Sequence, residues 1–200
     1  MSKINPLQAA FYKGVGGKFG ALQLNLQRPH YYCPDCKTRV YDQVFPPSSC
    51  PSETCGNNKK LNSREGAIFM EICSADGKNS YDWKNKIVFS LSVDDMSQIL
   101  YFLEEAQPGD SMSIQHDPGA GRADKGKTMK YLNLNTPNGL TDSKAVGTAA
   151  AKKGGAFVQI SEIQSANKEK TEHRVPLNAS EIKQLTALLR VAIPLAYGWL

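Results

Sequence analysis

Tyr81–Glu105, YDWKNKIVFSLSVDDMSQILYFLEE, changes its period halfway along. Up to Leu91 it alternates. Tyr81, Trp83, Ile87, Phe89 and Leu91 share one side of an extended chain, and Asp82, Lys84, Lys86, Ser90 and Ser92 share the other. From Met96 onward the apolar residues are Met96, Ile99, Leu100 and Leu103, which is helical spacing. Ser92 stands at the change, with Asp95 three residues on. That pair suits a capping box: the hydroxyl accepts from the first-turn amide, and the carboxylate reaches back to the cap's own amide. The stretch predicts a long strand running directly into a capped amphipathic helix.

A second junction of the same kind closes the chain. Leu91-Ser92-Val93-Asp94-Asp95-Met96-Ser97-Gln98-Ile99 aligns with Leu177-Asn178-Ala179-Ser180-Glu181-Ile182-Lys183-Gln184-Leu185. Each has Leu, a cap residue, an acid at the third helical position, then Gln and an aliphatic. The separation of roughly ninety residues is too long for a solenoid repeat and predicts two halves, each a run of strands closed by a helix.

Other segments fit that plan. Lys18–Leu26, Gly66–Cys73, Ser111–Asp117, Met129–Asn135, Ala156–Gln164 and Thr171–Leu177 have strand patterns. Ala75-Asp76-Gly77-Lys78 and Asn167-Lys168 mark hairpins. Pro6–Tyr12 is read as a flexible arm or short helix, and Ala179–Tyr197 as the final helix with Pro194 bending its end. Pro137–Gly155 is small and polar, a mobile loop. Seven or more antiparallel strands with two helices make an α+β domain spanning 1–200, interrupted by a module at 29–60 and the loop at 137–155.

The 200 residues carry a net charge of +5, which permits nucleic-acid binding without requiring it. No apolar run approaches the ~18–20 residues needed to span a bilayer. The N-terminal sequence has neither an apolar signal core nor an Arg-rich transit pattern, so a cytoplasmic protein is expected. Four of five cysteines cluster as Cys33-Pro-Asp-Cys36 and Cys50-Pro-Ser-Glu-Thr-Cys55. Without an export signal, two such knuckles point to one tetrahedral metal ion, with structural Zn2+ as the usual occupant. The alternatives are reduced surface cysteines or His30 as a substitute ligand. Cys73, in a strand, reads as a core residue. Tyr31, Tyr32, Lys37 and Arg39 decorate the first knuckle, where they cover the ribbon or meet a partner.

Gly121-Arg-Ala-Asp-Lys-Gly126-Lys127-Thr128 matches a phosphate-binding P-loop. Its context opposes that reading, because a P-loop opens a helix and the residues after Thr128 alternate as a strand. No histidine has a visible nucleophile partner, and the Asn178-Ala-Ser180 sequon is better explained as a helix cap. The chain is therefore expected not to be an enzyme. Between Ala120 and Gly155, seven Lys/Arg face two Asp. Lys18, Lys84, Lys86, Lys127 and Lys130 are candidates for phosphate contact, with Phe19, Trp83 and Tyr131 for base contact. Lysines meeting phosphates beside aromatic faces suit single-stranded nucleic acid. A solvated basic surface over a core of aromatics explains the same composition.

Tyr81-Asp82-Trp83, Phe89-Ser90-Leu91-Ser92, His116-Asp117-Pro118, Lys130 with Leu132-Asn133-Leu134, Pro137-Asn138, Val175-Pro176-Leu177, Ile193-Pro194 and Gly198-Trp199 occur in an order and spacing that resembles the Whirly family of single-stranded DNA-binding proteins. The resemblance implies two four-stranded antiparallel sheets packed across each other with helices completing the core. It also implies a homotetramer with single-stranded DNA lying across neighbouring subunits, and weak sequence preference. The family's Lys-Gly-Lys-Ala-Ala-Leu type of motif is here Gly17-Lys18-Phe19-Gly20-Ala21-Leu22, which keeps one lysine. The cysteine module takes the place of the second strand region, and the missing transit pattern implies a bacterial or phage version. The expected function is non-catalytic, largely sequence-independent single-stranded DNA binding in replication, recombination or repair. The alternatives are RNA binding or strand annealing, and a zinc-dependent module that recruits replication or transcription machinery.

Overall fold

The computed structural model describes residues 8–13, 19–41, 47–56, 60–77, 80–120, 123, 126–140, 143–144, 151–152 and 154–198. The first half holds β1 (Gln8–Tyr12), β2 (Gly20–Gln27), β3 (His30–Tyr32), β4 (Arg39–Val40), β5 (Asn62–Arg64), β6 (Ala67–Gly77), β7 (Ser80–Tyr81), a 3-10 turn (Trp83–Asn85), β8 (Ile87–Leu91) and α1 (Val93–Glu105). The second holds β9 (Ser111–His116), β10 (Thr128–Asn135), β11 (Ser143–Lys144), β12 (Ala151–Lys152), β13 (Gly155–Gln164), β14 (Lys170–Asn178) and α2 (Ala179–Tyr197).

One sheet runs β1-β2-β6-β8, with β7 paired to the far end of β6; the other runs β9-β10-β13-β14. Every pairing is antiparallel. Each sheet visits its long strands in chain order and then feeds a helix, as the duplicated junction predicts. Both helices begin with a full capping box, Ser92 with Asp95 and Asn178 with Glu181. The alternation of the long strands sends Leu22, Leu24, Ile68, Met70, Phe89 and Leu91 inward from one sheet, and Leu132, Leu134, Val158, Ile160 and Val175 inward from the other. Met96, Ile99, Ile182, Leu185 and Leu189 from the helices complete one continuous core.

The register aligns the halves more closely than the sequence does. Leu91, just before the Ser92 cap, pairs with Ile68, and Leu177, just before the Asn178 cap, pairs with Ala156. Taking these as equivalent places Phe69 with Phe157. Their partners on the adjacent strands are Asn25 and Asn135. The same cross-strand Asn–Phe pair therefore recurs in both sheets.

Three expectations are corrected. Pro6–Tyr12 is not helical where described: Gln8–Tyr12 is an edge strand on β2, with Phe11 opposite Leu22 and buried, and that tertiary pairing overrides the helix preference of its alanines. Tyr81–Leu91 is not one strand. Asp82 accepts from the backbone and side-chain amides of Asn85, which closes a 3-10 turn, so Trp83 leaves the alternating face and sits half-buried in that turn. Within 137–155, β11 pairs with β12, so that segment contains a small hairpin; its tip lies outside the described residues.

Gly66 lets α2 dock against the start of β6. A Cβ there would lie 2.5 Å from Ala196 Cα, and the Gly66 N–H donates to Ala196 O at 3.2 Å. Gly198 then ends α2 in the left-handed region, at φ 78°.

Candidate nucleic-acid interface and metal centre

The strand residues that do not enter the core form the outward faces of the two sheets. In the first sheet these include Gln23, Asn25, Phe69, Glu71, Val88 and Ser90, all half-buried or exposed. In the second they include Gln115, Tyr131, Asn133, Asn135, Phe157 and Gln159, again half-buried or exposed. Neutral amides can donate to or accept from any base edge, and the Phe69 and Tyr131 rings add flat apolar surface, whereas the Phe157 ring carries a guanidinium over it. Arg174 places its guanidinium 3.7 Å from the centroid of the Phe157 ring, so a cation adjoins one of the two equivalent phenylalanines.

The residues expected from sequence distribute unevenly over these faces. Tyr131 lies on the outward face of β10, between Gln115 and Ser161. Phe19 is exposed beside the first sheet, where its carbonyl accepts from Ala75 N–H at 2.8 Å. Lys84 is exposed in the 3-10 turn next to Trp83. Lys86 is half-exposed and paired with Glu71 at 2.7 Å. Lys127 is exposed at the end of the basic loop. Lys130 points to the inward side of β10, bridging Glu162 at 2.9 Å and the Val88 carbonyl at 2.9 Å, which ties the two sheets together. Lys18 lies outside the described residues.

The outward-face residues Asn25, Phe69, Asn135, Phe157 and Arg174 do not figure in the charge-based reading. Their signal was present but non-local: it emerges once the two capped junctions are aligned and the strands are traced backward from them. Asp117 was also missed as a structural element. Its carboxylate accepts from Gly119 and Gly126 N–H, each at 2.9 Å, and so closes the neck of the basic loop. Thr128 then starts β10, a strand, so the P-loop match lacks the helix that it needs.

The second cluster is the cysteine module. In the first knuckle, Cys33 N–H donates to Thr38 O at 2.9 Å and Lys37 N–H to Cys33 O at 3.0 Å, with Lys37 at φ 65°. In the second, Cys55 N–H donates to Ser52 O at 3.0 Å. These turns bring the sulfurs of Cys33, Cys36, Cys50 and Cys55 within 4.8 Å of one another. Cys33 and Cys55 are 3.7 Å apart, and Cys36 and Cys50 3.4 Å. A disulfide needs about 2.05 Å. The edge of a tetrahedron with metal–sulfur bonds of about 2.3 Å is roughly 3.8 Å, so the donor set fits a tetrathiolate ion. The Thr38 hydroxyl and amide hold the Cys36 thiol below its ordinary value, while Cys50 beside it is pushed up by burial and by its contact with Cys36. His30 is not part of the cluster: it is buried, packs at a tilt against the Tyr41 ring and donates from Nδ1 to the Arg28 carbonyl at 3.1 Å. Burial pushes the Cys73 thiol up, in keeping with an inert core residue.

The sequence profile described as "Whirly transcription factor" matches residues 45–188. The chain belongs to the Whirly family. Among curated relatives, the chloroplastic single-stranded DNA-binding protein WHY1 of Solanum tuberosum is 28% identical over 138 residues, covering 68% of this chain and 44% of that protein. The Zea mays protein of the same name is also 28% identical, over 68% of this chain and 45% of its own length. The chain thus spans less than half the length of these relatives. Among solved structures, WHY3 from Arabidopsis thaliana matches with a TM-score of 0.64 at 23% identity, covering 96% of this chain and 89% of that one. The plant transcriptional regulator PBF-2 matches at 0.62 and 24%, covering 96% and 83%. These matches establish the fold. The named relatives are plant proteins, so they lend no support to the bacterial or phage setting expected from the N-terminal sequence. Among the described residues, no helix is long and apolar enough to cross a membrane.

Proposed function

We propose that this Whirly chain is a non-catalytic, largely sequence-independent single-stranded DNA-binding protein acting in replication, recombination or repair, with one structural Zn2+ held by Cys33, Cys36, Cys50 and Cys55. The observation that carries the DNA reading is the repeated outward pair, Asn25–Phe69 and Asn135–Phe157. The names of the plant relatives agree with it. An unpaired base lies on the Phe69 ring, or on the Arg174 guanidinium stacked over Phe157, while the adjacent asparagine amide meets whichever donors and acceptors the base edge presents. The phosphates of the same strand run towards Arg174, Lys84 and Lys127. Rings accept any base, which explains weak sequence preference, and a duplex hides its base faces, which explains the preference for single strands.

The protein works as a homo-oligomer, a tetramer in keeping with its family, in the cytoplasm of a bacterium or a phage-infected cell. Supporting the oligomer, a groove beside α2 is lined by Ala9, Leu24, Leu26, Leu188 and Val191, and Tyr101 and Tyr197 lie exposed on the helices. The zinc contributes folding free energy to the module rather than chemistry, since four thiolates close its coordination shell.

The test is an electrophoretic shift series on metal-replete protein with matched single-stranded DNA, duplex DNA and RNA at one ionic strength. Single-stranded DNA should bind tightest, with affinity falling steeply as salt rises. Equal or tighter binding of duplex defeats the reading, and tighter binding of RNA replaces it with an RNA function.

A further inference from the structure

We infer that the face of the cysteine module centred on Tyr32 is a second contact for the bound single strand, extending its path from the sheets onto the module. This rests on the DNA-binding reading above. Its own support lies in register and charge.

The module is a fixed continuation of the first sheet. The β2–β6 ladder ends with Gln27 opposite Ala67, and the β3–β5 ladder begins with His30 opposite Arg64. Each strand advances by the same three residues, so one register runs through both ladders. The hairpin is interrupted at Arg28-Pro29 and Glu65-Gly66 and then resumes without slipping. A surface on β3, β4 and β5 therefore continues the chain from the Gln27 end of the ladder that carries the Asn25–Phe69 pair.

That surface gathers cations around one ring. Tyr32 is opposite Arg39 on β4 and Asn62 on β5, and directly paired residues share a side of the sheet. Arg64, two residues along from Asn62, lies on the same side, with its guanidinium carbon 5.7 Å from the Tyr32 centroid. The Lys37 ammonium is 5.6 Å from that centroid, brought there by the left-handed turn of the first knuckle. Lys37, Arg39 and Arg64 are all exposed. The strands β3, β4 and β5 carry no carboxylate. Among the described residues, neither Arg39 nor Arg64 makes an ion pair. Two cations at one aromatic ring, with Arg39 opposite it in the ladder, offer phosphate contacts beside a stacking surface, the pairing that single-stranded nucleic acid recognises. An acidic peptide would engage the cations but leave the ring without a role.

The experiment uses the full zinc-loaded chain and fluorescein-labelled oligothymidylates of increasing length, read by anisotropy at several salt concentrations. The wild type is compared with R39A/R64A, Y32A and Y32F, with zinc content measured for each. The shortest strands that bind should do so equally well to wild type and variants. On longer strands, R39A/R64A should flatten the dependence of log affinity on log salt by about 1.4, from roughly 0.7 per lost phosphate contact. Y32A should weaken long-strand binding by about 5- to 150-fold, the range for one lost stack, and Y32F should keep wild-type affinity. If the wild type binds and the variants match it at every length and salt, the inference fails. A uniform loss across all lengths also overturns it, as does unchanged DNA binding with R39A/R64A-sensitive binding of poly-glutamate. Failure of the wild type to bind any single strand instead refutes the DNA-binding reading itself.

Discussion

Replacing Phe69 and Phe157 by alanine, singly and together, tests the proposed base-contact role of the repeated outward pairs directly. Each ring stands on an outward face opposite an asparagine, and each is half-buried. Base–aromatic stacking is worth about 1–3 kcal/mol by alanine substitution, so each single change should weaken single-stranded DNA binding by about 5- to 150-fold. The two rings lie on separate sheets, so their losses should add, to about 2–6 kcal/mol. The folding cost is smaller. Full burial of a phenylalanine contributes about 1.5–3 kcal/mol, so removing a half-buried ring costs about 1 kcal/mol. An outward face leaves no closed cavity to add to this. Two such losses leave a domain of ordinary stability, about 5–15 kcal/mol, folded. Anisotropy titrations should therefore show the affinity loss while thermal melts shift by only a few degrees. Leucine variants separate the effects further, since leucine keeps the apolar packing and removes the π face. If both alanine variants bind single strands like the wild type while remaining folded, the outward Asn–Phe pairs are not the base-contact site.

Three further outcomes follow from the structure. Chelation of the metal should unfold the cysteine module and spare the main sheets, because His30, Cys33 and Leu61 are the buried side chains it has among the described residues; limited proteolysis should cut within 28–65 alone, and global loss of circular dichroism would contradict this. Gly66→Ala should lower stability by about 1–3 kcal/mol in a denaturant melt, since its Cβ would meet Ala196 backbone at 2.5 Å, and an unchanged midpoint would show that α2 does not dock there. Ser92→Ala and Asn178→Ala should each cost about 1 kcal/mol, because each removes the side-chain acceptor from a capping box, and a neutral effect would mean that the helices start elsewhere.

How far the sequence could be read depended on how local each interaction is. The two helix starts were legible because a capping box lies within four residues and needs no partner from elsewhere. The cysteine cluster was legible for the same reason, since the spacing within each knuckle is set by turn geometry. The edge strand Gln8–Tyr12 was not, because its pairing with β2 is a tertiary event and its alanines suit a helix equally well. The break at Trp83 left a faint local trace, an Asp82 side chain three residues before Asn85, but the surrounding alternation masked it. Counting charge led to Lys130, which the register turns inward onto Glu162. The neutral residues that populate the outward faces carry no charge signal and become visible only when strands are aligned.

The matching strand order also locates where the two halves diverge. Each interrupts its four long strands at the same link, between the second and third. In the first half that link carries the cysteine module between β2 and β6; in the second it carries the β11–β12 hairpin between β10 and β13. An insertion there lengthens a connection that already turns back on itself, so the ladders on either side keep their pairing, and the entropy of closing a longer loop grows only slowly with length. The stem of the second insertion is pinned by Gly155 N–H donating to Gly139 O at 2.9 Å. The link leaves each sheet at the end where the following helix begins, since Leu91 pairs with Ile68 near the start of β6 and Leu177 with Ala156 near the start of β13. Both insertions therefore leave corresponding ends of the two sheets. One carries Tyr32 with Lys37 and Arg64 over its ring and Arg39 opposite it in the ladder; the other carries the short β11–β12 ladder. The fold thus repeats a neutral outward face in both sheets and admits an insertion at one corresponding exit in each half.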